Sequence, residues 1–182
     1  MSPLVTGRGD AGISDSRDKK RISKSDPRFE AVGTVDELSC FVGLLRVHMA
    51  KDWPEKIHHV LEIQRDLYRL NAELATVDPQ HLTNLRLLGP GDIAKIEQWI
   101  SALETQVEPP KAFVLPGGGH PASAVADVCR AVCRRAERCV TVLLDTQKTV
   151  DGDTSILVYL NRLSDYFFVL ALFLAQTRDF AI

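Results

Sequence analysis

The chain has 182 residues, 45% of them hydrophobic and 25% charged, with a formal net charge of -2. One domain fits that length, and a domain of this size buries roughly two-thirds of its unfolded surface without staples. The composition excludes a mainly disordered chain, a disulfide scaffold and collagen, and the charge offers no overall basic field to nucleic acid or an anionic membrane.

Residues 1–26 are rich in Gly, Ser, Asp, Lys and Arg and carry no apolar period, so they read as a mobile arm. Within the arm, Thr6-Gly7-Arg8-Gly9-Asp10-Ala11-Gly12 sets three glycines at alternate positions. Such a loop can turn backbone N–H groups onto an anion, with Arg8 and Lys24 adding charge. A plain flexible tail fits the same residues. No basic n-region with an apolar stretch opens the chain, and no Arg-rich presequence is visible.

Helical periodicity begins next. Thr34-Val35-Asp36-Glu37 has the pattern of a capping box, with Thr34 as N-cap, and Val35, Leu38, Val42, Leu45 and Met49 form a stripe behind it. Pro54 suits a first helical position, and Val60, Ile63, Leu67, Leu70, Leu74 and Val77 form a second stripe that Pro79 ends. After Gly89-Pro90-Gly91 comes a third stripe, Ile93, Ile96, Ile100, Leu103 and Val107, stopped by Pro109-Pro110. A fourth runs through Val125, Val128, Val132, Ala136, Cys139 and Leu143, and a fifth through Ile156, Leu160, Leu163, Phe167, Leu170 and Leu174. Strand alternation is absent over any useful length. The expectation is an all-α, up-and-down five-helix bundle over residues 27–178, in a single domain with the arm.

The longest apolar run, Phe167 to Ala175, falls well short of the roughly 20 residues of a membrane-spanning helix, so none is expected. Cys40, Cys129, Cys133 and Cys139 form no CxxC pair and read as buried, reduced thiols. Together these points favour the cytoplasm.

The fourth helix holds the most chemistry. At 100° per residue its stripe centres near Val132, and Asp127, Arg130, Arg134, Glu137 and Arg138 fall opposite. Arg130, Arg134, Arg135 and Arg138 crowd into nine residues. One reading is a solvated face whose like charges Glu137 softens. The other is a polyanion site, such as one for a triphosphate, where guanidinium forks hold oxygens well. Gly117-Gly118-Gly119 precedes this helix and reads as a connecting loop, or as a phosphate cradle at a helix N-terminus. A di-iron centre would need Glu-x-x-His on two helices, and Glu55-Lys56-Ile57-His58 is the single copy. No GxSxG nucleophile motif occurs.

Four segments taken together resemble one family. They are TGRGDAG (Thr6 to Gly12), SDPRFEAVGTVDEL (Ser25 to Leu38), the stretch from FVLPGGG at Phe113 to CRRAER at Arg138, and YLNRLSDYFF (Tyr159 to Phe168). In this order and spacing they resemble the PduO-type ATP:cob(I)alamin adenosyltransferases, from Thr6 to about Thr177. The resemblance implies a five-helix bundle that is usually a homotrimer with sites between subunits. It implies transfer of the 5′-deoxyadenosyl group of ATP to the cobalt of cob(I)alamin, with Mg²⁺ and release of triphosphate.

By the same match, Thr6, Gly7, Arg8, Gly9 and Ser14 belong to the nucleotide loop, and Lys24 is the lysine before the DPR segment. Arg134, Arg135, Glu137 and Arg138 fall in the nucleotide-binding CRRAER segment, and Asn161 is the NRLSD asparagine. Phe113 matches the phenylalanine that presses on the lower face of cobalamin, and Asp36 and Arg130 match a salt bridge between subunits. The implied partners are ATP, cobalamin, a flavin-dependent reductase and an adenosylcobalamin-dependent acceptor enzyme. Here Ile13-Ser14 stands where the family often has a Thr pair, and Gly119 is one extra residue in the loop after Phe113.

Overall fold

The computed structural model describes residues 5–147 and 155–175. The first four residues of the expected arm, the stretch 148–154 and the expected bundle end at 176–178 lie outside them. Five α-helices form the body: α1 (Pro27–Met49), α2 (Ile57–Leu74), α3 (Pro90–Glu104), α4 (Pro121–Gln147) and α5 (Ser155–Leu174). Helix α1 packs on α2 and α4, and α5 packs on α3 and α4. Short 3₁₀ turns at Pro54–Lys56 and Pro79–Asn84 lie before and after α2. The arm holds a small antiparallel pair, β1 (Ile13–Asp15) and β2 (Arg21–Ser23), with Ser14 opposite Ile22. Strands of three residues are too short to show a period of two, which is why the sequence does not announce them.

Helix α1 begins seven residues before the expected cap. Asp26 is the N-cap, its carboxylate accepting the Arg28 N–H at 2.8 Å, and Pro27 fills the first helical position. An Asp cap followed by Pro and an acid in the first turn is a stronger start than the Thr34 box, which therefore lies mid-helix. There the Thr34 hydroxyl donates to the Glu30 carbonyl at 2.8 Å, and Glu37 pairs with Arg135 of α4.

The stripes on α1 and α5 are buried throughout, and that on α2 is buried as far as Leu74, where the helix ends. On α4 the buried arc turns toward Cys129, Cys133 and Val140, leaving Val128 and Val142 exposed. The helix packs on α1 and α5 together, so its apolar arc is wider than one stripe, and Asp127, expected on the solvated face, is buried. Helix α5 is long and apolar enough to cross a membrane by length and composition, contrary to the reading from its longest run. Its apolar residues instead form the bundle core against α3 and α4.

A buried polar network fixes α2, α3 and α5 relative to one another. Arg69 bonds Asp66 at 2.6 Å and Asp92 at 2.7 Å, and the Tyr159 hydroxyl donates to Asp66 at 3.0 Å. Asp92 also accepts the Gly89 N–H at the start of α3. Buried charges need such pairing.

The arm is more ordered than its composition suggests. Asp18, in the β1–β2 turn, accepts the Ser16 hydroxyl at 2.6 Å and the backbone N–H groups of Val77 and Asp78 at 3.2 and 3.0 Å. The Arg17 N–H donates to the Ala75 carbonyl at 2.9 Å. From the other side, buried Arg28 donates to the Leu74 and Thr76 carbonyls. The arm, the start of α1 and the end of α2 thus meet at residues 74–78. Hydrogen bonds, not apolar area, hold the arm there, so a reading keyed to apolar periodicity finds none of it.

Candidate active site

Three groups of the expected residues occupy three places on the chain. In the arm, Asp10 N–H bonds Gly7 C=O and Gly12 N–H bonds Gly9 C=O, making two successive tight turns. Gly7 and Gly12 have φ of +66° and +72°, which glycine adopts without strain. Lys24 returns to this loop: its N–H donates to Gly12 C=O at 2.9 Å, and its ammonium lies where a Cβ on Gly9 would stand 3.0 Å away. Arg8 pairs with Asp15 at 2.8 Å, and Thr6 and Ser14 flank the turns. The arm therefore brings Thr6, Gly7, Arg8, Gly9, Ser14 and Lys24 together.

On the bundle, Asn161 of α5 donates to Glu137 of α4 at 3.4 Å. Arg134, one turn before Glu137, and Arg138, the residue after it, are exposed and meet no carboxylate among the described residues; Arg138 donates only to the Arg134 carbonyl, at 3.0 Å. Arg135 leaves this group, since its pair with Glu37 ties α4 to α1. No hydrogen bond or ion pair joins the arm loop to Arg134 or Arg138 within the described residues of one chain.

Phe113 stands on the loop before α4 and is 88% exposed. A cleft of about 760 Å³ ends at Ala112 beside it, walled by Val107, Pro110, Leu172 and Phe173. Asp36 is exposed on α1, and Arg130 on α4 faces only Asp127, at 3.5 Å; Asp36 and Arg130 do not meet within the chain.

Two of the four thiols are buried and held protonated. Burial pushes the Cys129 thiol up to about 12 and raises Cys133 well above its ordinary value. Cys40 is exposed, against the expectation of buried thiols throughout.

The chain thus presents exposed guanidinium groups at Arg134 and Arg138, a bare aromatic ring at Phe113 and, at Asp36, an exposed acid with no partner among the described residues. The sequence profile described as cobalamin adenosyltransferase matches residues 4–174. The chain belongs to the cobalamin adenosyltransferase family. It is 40% identical over 177 residues to a corrinoid adenosyltransferase of Bos taurus, covering 95% of this chain and 71% of that one. It is 37% identical to a cobalamin adenosyltransferase of Cupriavidus metallidurans, covering 94% and 87%. Its fold matches a variant PduO-type ATP:corrinoid adenosyltransferase from Lactobacillus reuteri complexed with cobalamin and ATP. The TM-score there is 0.83 with 29% identity, over 93% of this chain and 92% of that one.

Within this adenosyltransferase three supporting residues escaped the sequence reading. Arg28 and Asp18 set the arm, and Asp127 sets the loop behind Phe113. Arg28 lies in the DPR segment, which served only to place Lys24, and nothing in residue spacing shows that its side chain reaches the end of α2. Asp127 was hidden by assigning α4 a single buried stripe.

Proposed function

We propose that this chain transfers the 5′-deoxyadenosyl group of ATP to the cobalt of cob(I)alamin. The electron pair of Co(I) attacks C5′ of the nucleotide. The C5′–O bond breaks, its pair leaves with triphosphate, and adenosylcobalamin forms. Because the substrate is itself the nucleophile, the protein needs no serine, thiolate or general base. Its work is orientation and stabilisation of charge growing on the leaving group.

The observation that carries this reading is the family match over residues 4–174. The geometry gives each group a task. Arg134 and Arg138, free of carboxylate partners among the described residues, supply forks for phosphate oxygens. The arm adds the Lys24 ammonium and backbone N–H groups. Glu137 and Asn161, already bonded to each other, provide a carboxylate and an amide for Mg²⁺ or the nucleoside. Mg²⁺ would enter with the triphosphate, as it commonly does at nucleotide sites. Phe113 would press its bare ring on the corrin.

The separation of arm and arginine face within one chain supports a homotrimer with shared sites, joined by Asp36 of one subunit and Arg130 of the next. A flavin-dependent reductase would supply cob(I)alamin, and an adenosylcobalamin-dependent enzyme would take the product. We assign the chain to the cytoplasm, on its reduced-thiol pattern. The test is anaerobic: protein, Mg-ATP and chemically reduced cobalamin, followed by absorbance. Growth of the adenosylcobalamin spectrum is expected, and its absence with active substrates would refute the reading.

A further inference from the structure

Asp127 is a buried carboxylate with two partners of different kinds. Its Oδ2 accepts the Gly117 N–H at 2.8 Å, and its Oδ1 lies 3.5 Å from the Arg130 guanidinium. Gly117 has φ of +103°, and Gly118 follows at +142°, so the chain reverses there in conformations that need glycine. The other side of the Gly117 peptide is also held: the Ser123 hydroxyl lies 3.4 Å from its carbonyl and 2.9 Å from that of Ala171. His120 completes the anchorage. Its Nδ1 accepts the Ala122 N–H at 3.1 Å, its Nε2 lies 3.3 Å from Asp52, and Trp53 packs edge-on at 4.7 Å.

The loop between Phe113 and α4 is thus clamped at Gly117, four residues after Phe113, while the Phe113 ring has almost no packing of its own. The backbone that carries it is held at the Val114 bridge and at this clamp. The clamp in turn shares its carboxylate with Arg130. A buried charge held by one N–H and one guanidinium is sensitive to either partner. Arg130 Nε has no hydrogen bond of its own among the described residues, so the ion pair is its main tie to the chain.

We propose that Asp127 is a positioning residue for the reaction, locking the Phe113 loop to Arg130 and so setting where the aromatic ring meets the corrin. This rests on the adenosyltransferase reading. It adds that the contact made by Arg130 with the neighbouring subunit is relayed through Asp127 to the corrin side of the site. Asp127 touches neither substrate.

Two variants separate its two bonds. Asp127→Asn keeps an oxygen for the Gly117 N–H and removes the charge facing Arg130; Asp127→Ala removes both. Steady-state rates are measured with ATP and cobalamin varied separately, alongside light scattering and thermal melting. We expect Asp127→Asn to remain folded, to raise KM for cobalamin roughly fivefold or more and to leave KM for ATP within twofold. The Asp127→Ala loss in kcat/KM for cobalamin should be larger, and Phe113→Ala should cost less in that background than in the wild type, because the ring is already displaced. Should Asp127→Ala fail to fold, the same cycle is run with Asp127→Asn. Equal changes in both KM values, or additive losses with Phe113→Ala, would overturn the proposal and leave Asp127 a stabilising residue only. A wild-type protein that makes no adenosylcobalamin would instead defeat the reading beneath it.

Discussion

Replacing Arg28 by Met tests how the nucleotide arm is held. The guanidinium is 7% exposed and donates to two carbonyls at the end of α2, those of Leu74 and Thr76, the second at 2.8 Å. Methionine keeps an apolar stem of similar reach and deletes both donors. Each buried carbonyl left without its donor costs roughly 1–3 kcal/mol. The pair therefore predicts a loss of about 2–6 kcal/mol. For a chain of this length that corresponds to a fall in Tm on the order of 10 °C. Arg28→Lys, whose single ammonium serves one carbonyl well, should fall about half as far. The local consequence matters more. Residues 74–78 also carry the Arg17 and Asp18 bonds of the arm, so amides of β1, β2, Val77 and Asp78 should lose hydrogen-exchange protection ahead of the α5 core. Circular dichroism melts and exchange mass spectrometry read both effects. A Tm change under about 2 °C, or arm amides no faster than in the wild type, would refute the claim that Arg28 closes this junction.

Three further outcomes follow from the same contacts. The Ser16 hydroxyl bond holds the Asp18 carboxyl below the usual carboxylate range against the opposing pull of burial, and the Val77 and Asp78 N–H groups lower it further. A folded pKa below the unfolded value of about 3.9 gives stability that is present above that pH and is lost as pH falls through it. Melting of the wild type should thus fall more steeply between pH 5 and 3 than that of Asp18→Asn, and parallel curves would contradict this. On the proposed homotrimer, Asp36→Arg should break the assembly and reduce turnover, and adding Arg130→Asp should restore part of each; light scattering showing the single variant assembled as the wild type would remove the pair from the interface. Cys40 is exposed one helical turn beyond Asp36, so the proposed assembly would cover it and Asp36→Arg should speed its alkylation, whereas an unchanged rate would place this face of α1 outside the interface.

Much of the bundle is legible in the sequence, because burial repeats along a helix and the apolar residues repeat with it. The α1 and α5 stripes read correctly residue by residue for that reason. Polar structure has no such period. Asp26 outcompetes Thr34 as the cap of α1 through an Asp-Pro pair that the pattern of apolar residues does not weigh. The arm hairpin depends on side chains bonding backbone groups some 60 residues away, at Val77 and Asp78. Helix α4 contacts two neighbours, so a wheel with one stripe puts Asp127 in solvent when it is buried. The candidate residues were found in segments, and the structure gathers some of them into an arm cluster and others onto a bundle face at Arg134, Glu137, Arg138 and Asn161. Phe113, Asp36 and Arg130 stand apart from both, and Arg135 is drawn to Glu37 of the same chain. On the proposed homotrimer a second subunit would join the two clusters, which no pattern within one chain displays.

The most direct test of the account follows both products of a single reaction. The chain is incubated anaerobically with Mg-ATP and a limiting amount of cob(I)alamin, and adenosylcobalamin and released phosphate species are quantified together. The account predicts one triphosphate for each adenosylcobalamin, with both lost when Arg134 or Arg138 is replaced by Ala. ATP that binds and is recovered intact, or is hydrolysed to ADP without a cobalt–carbon bond forming, would contradict it.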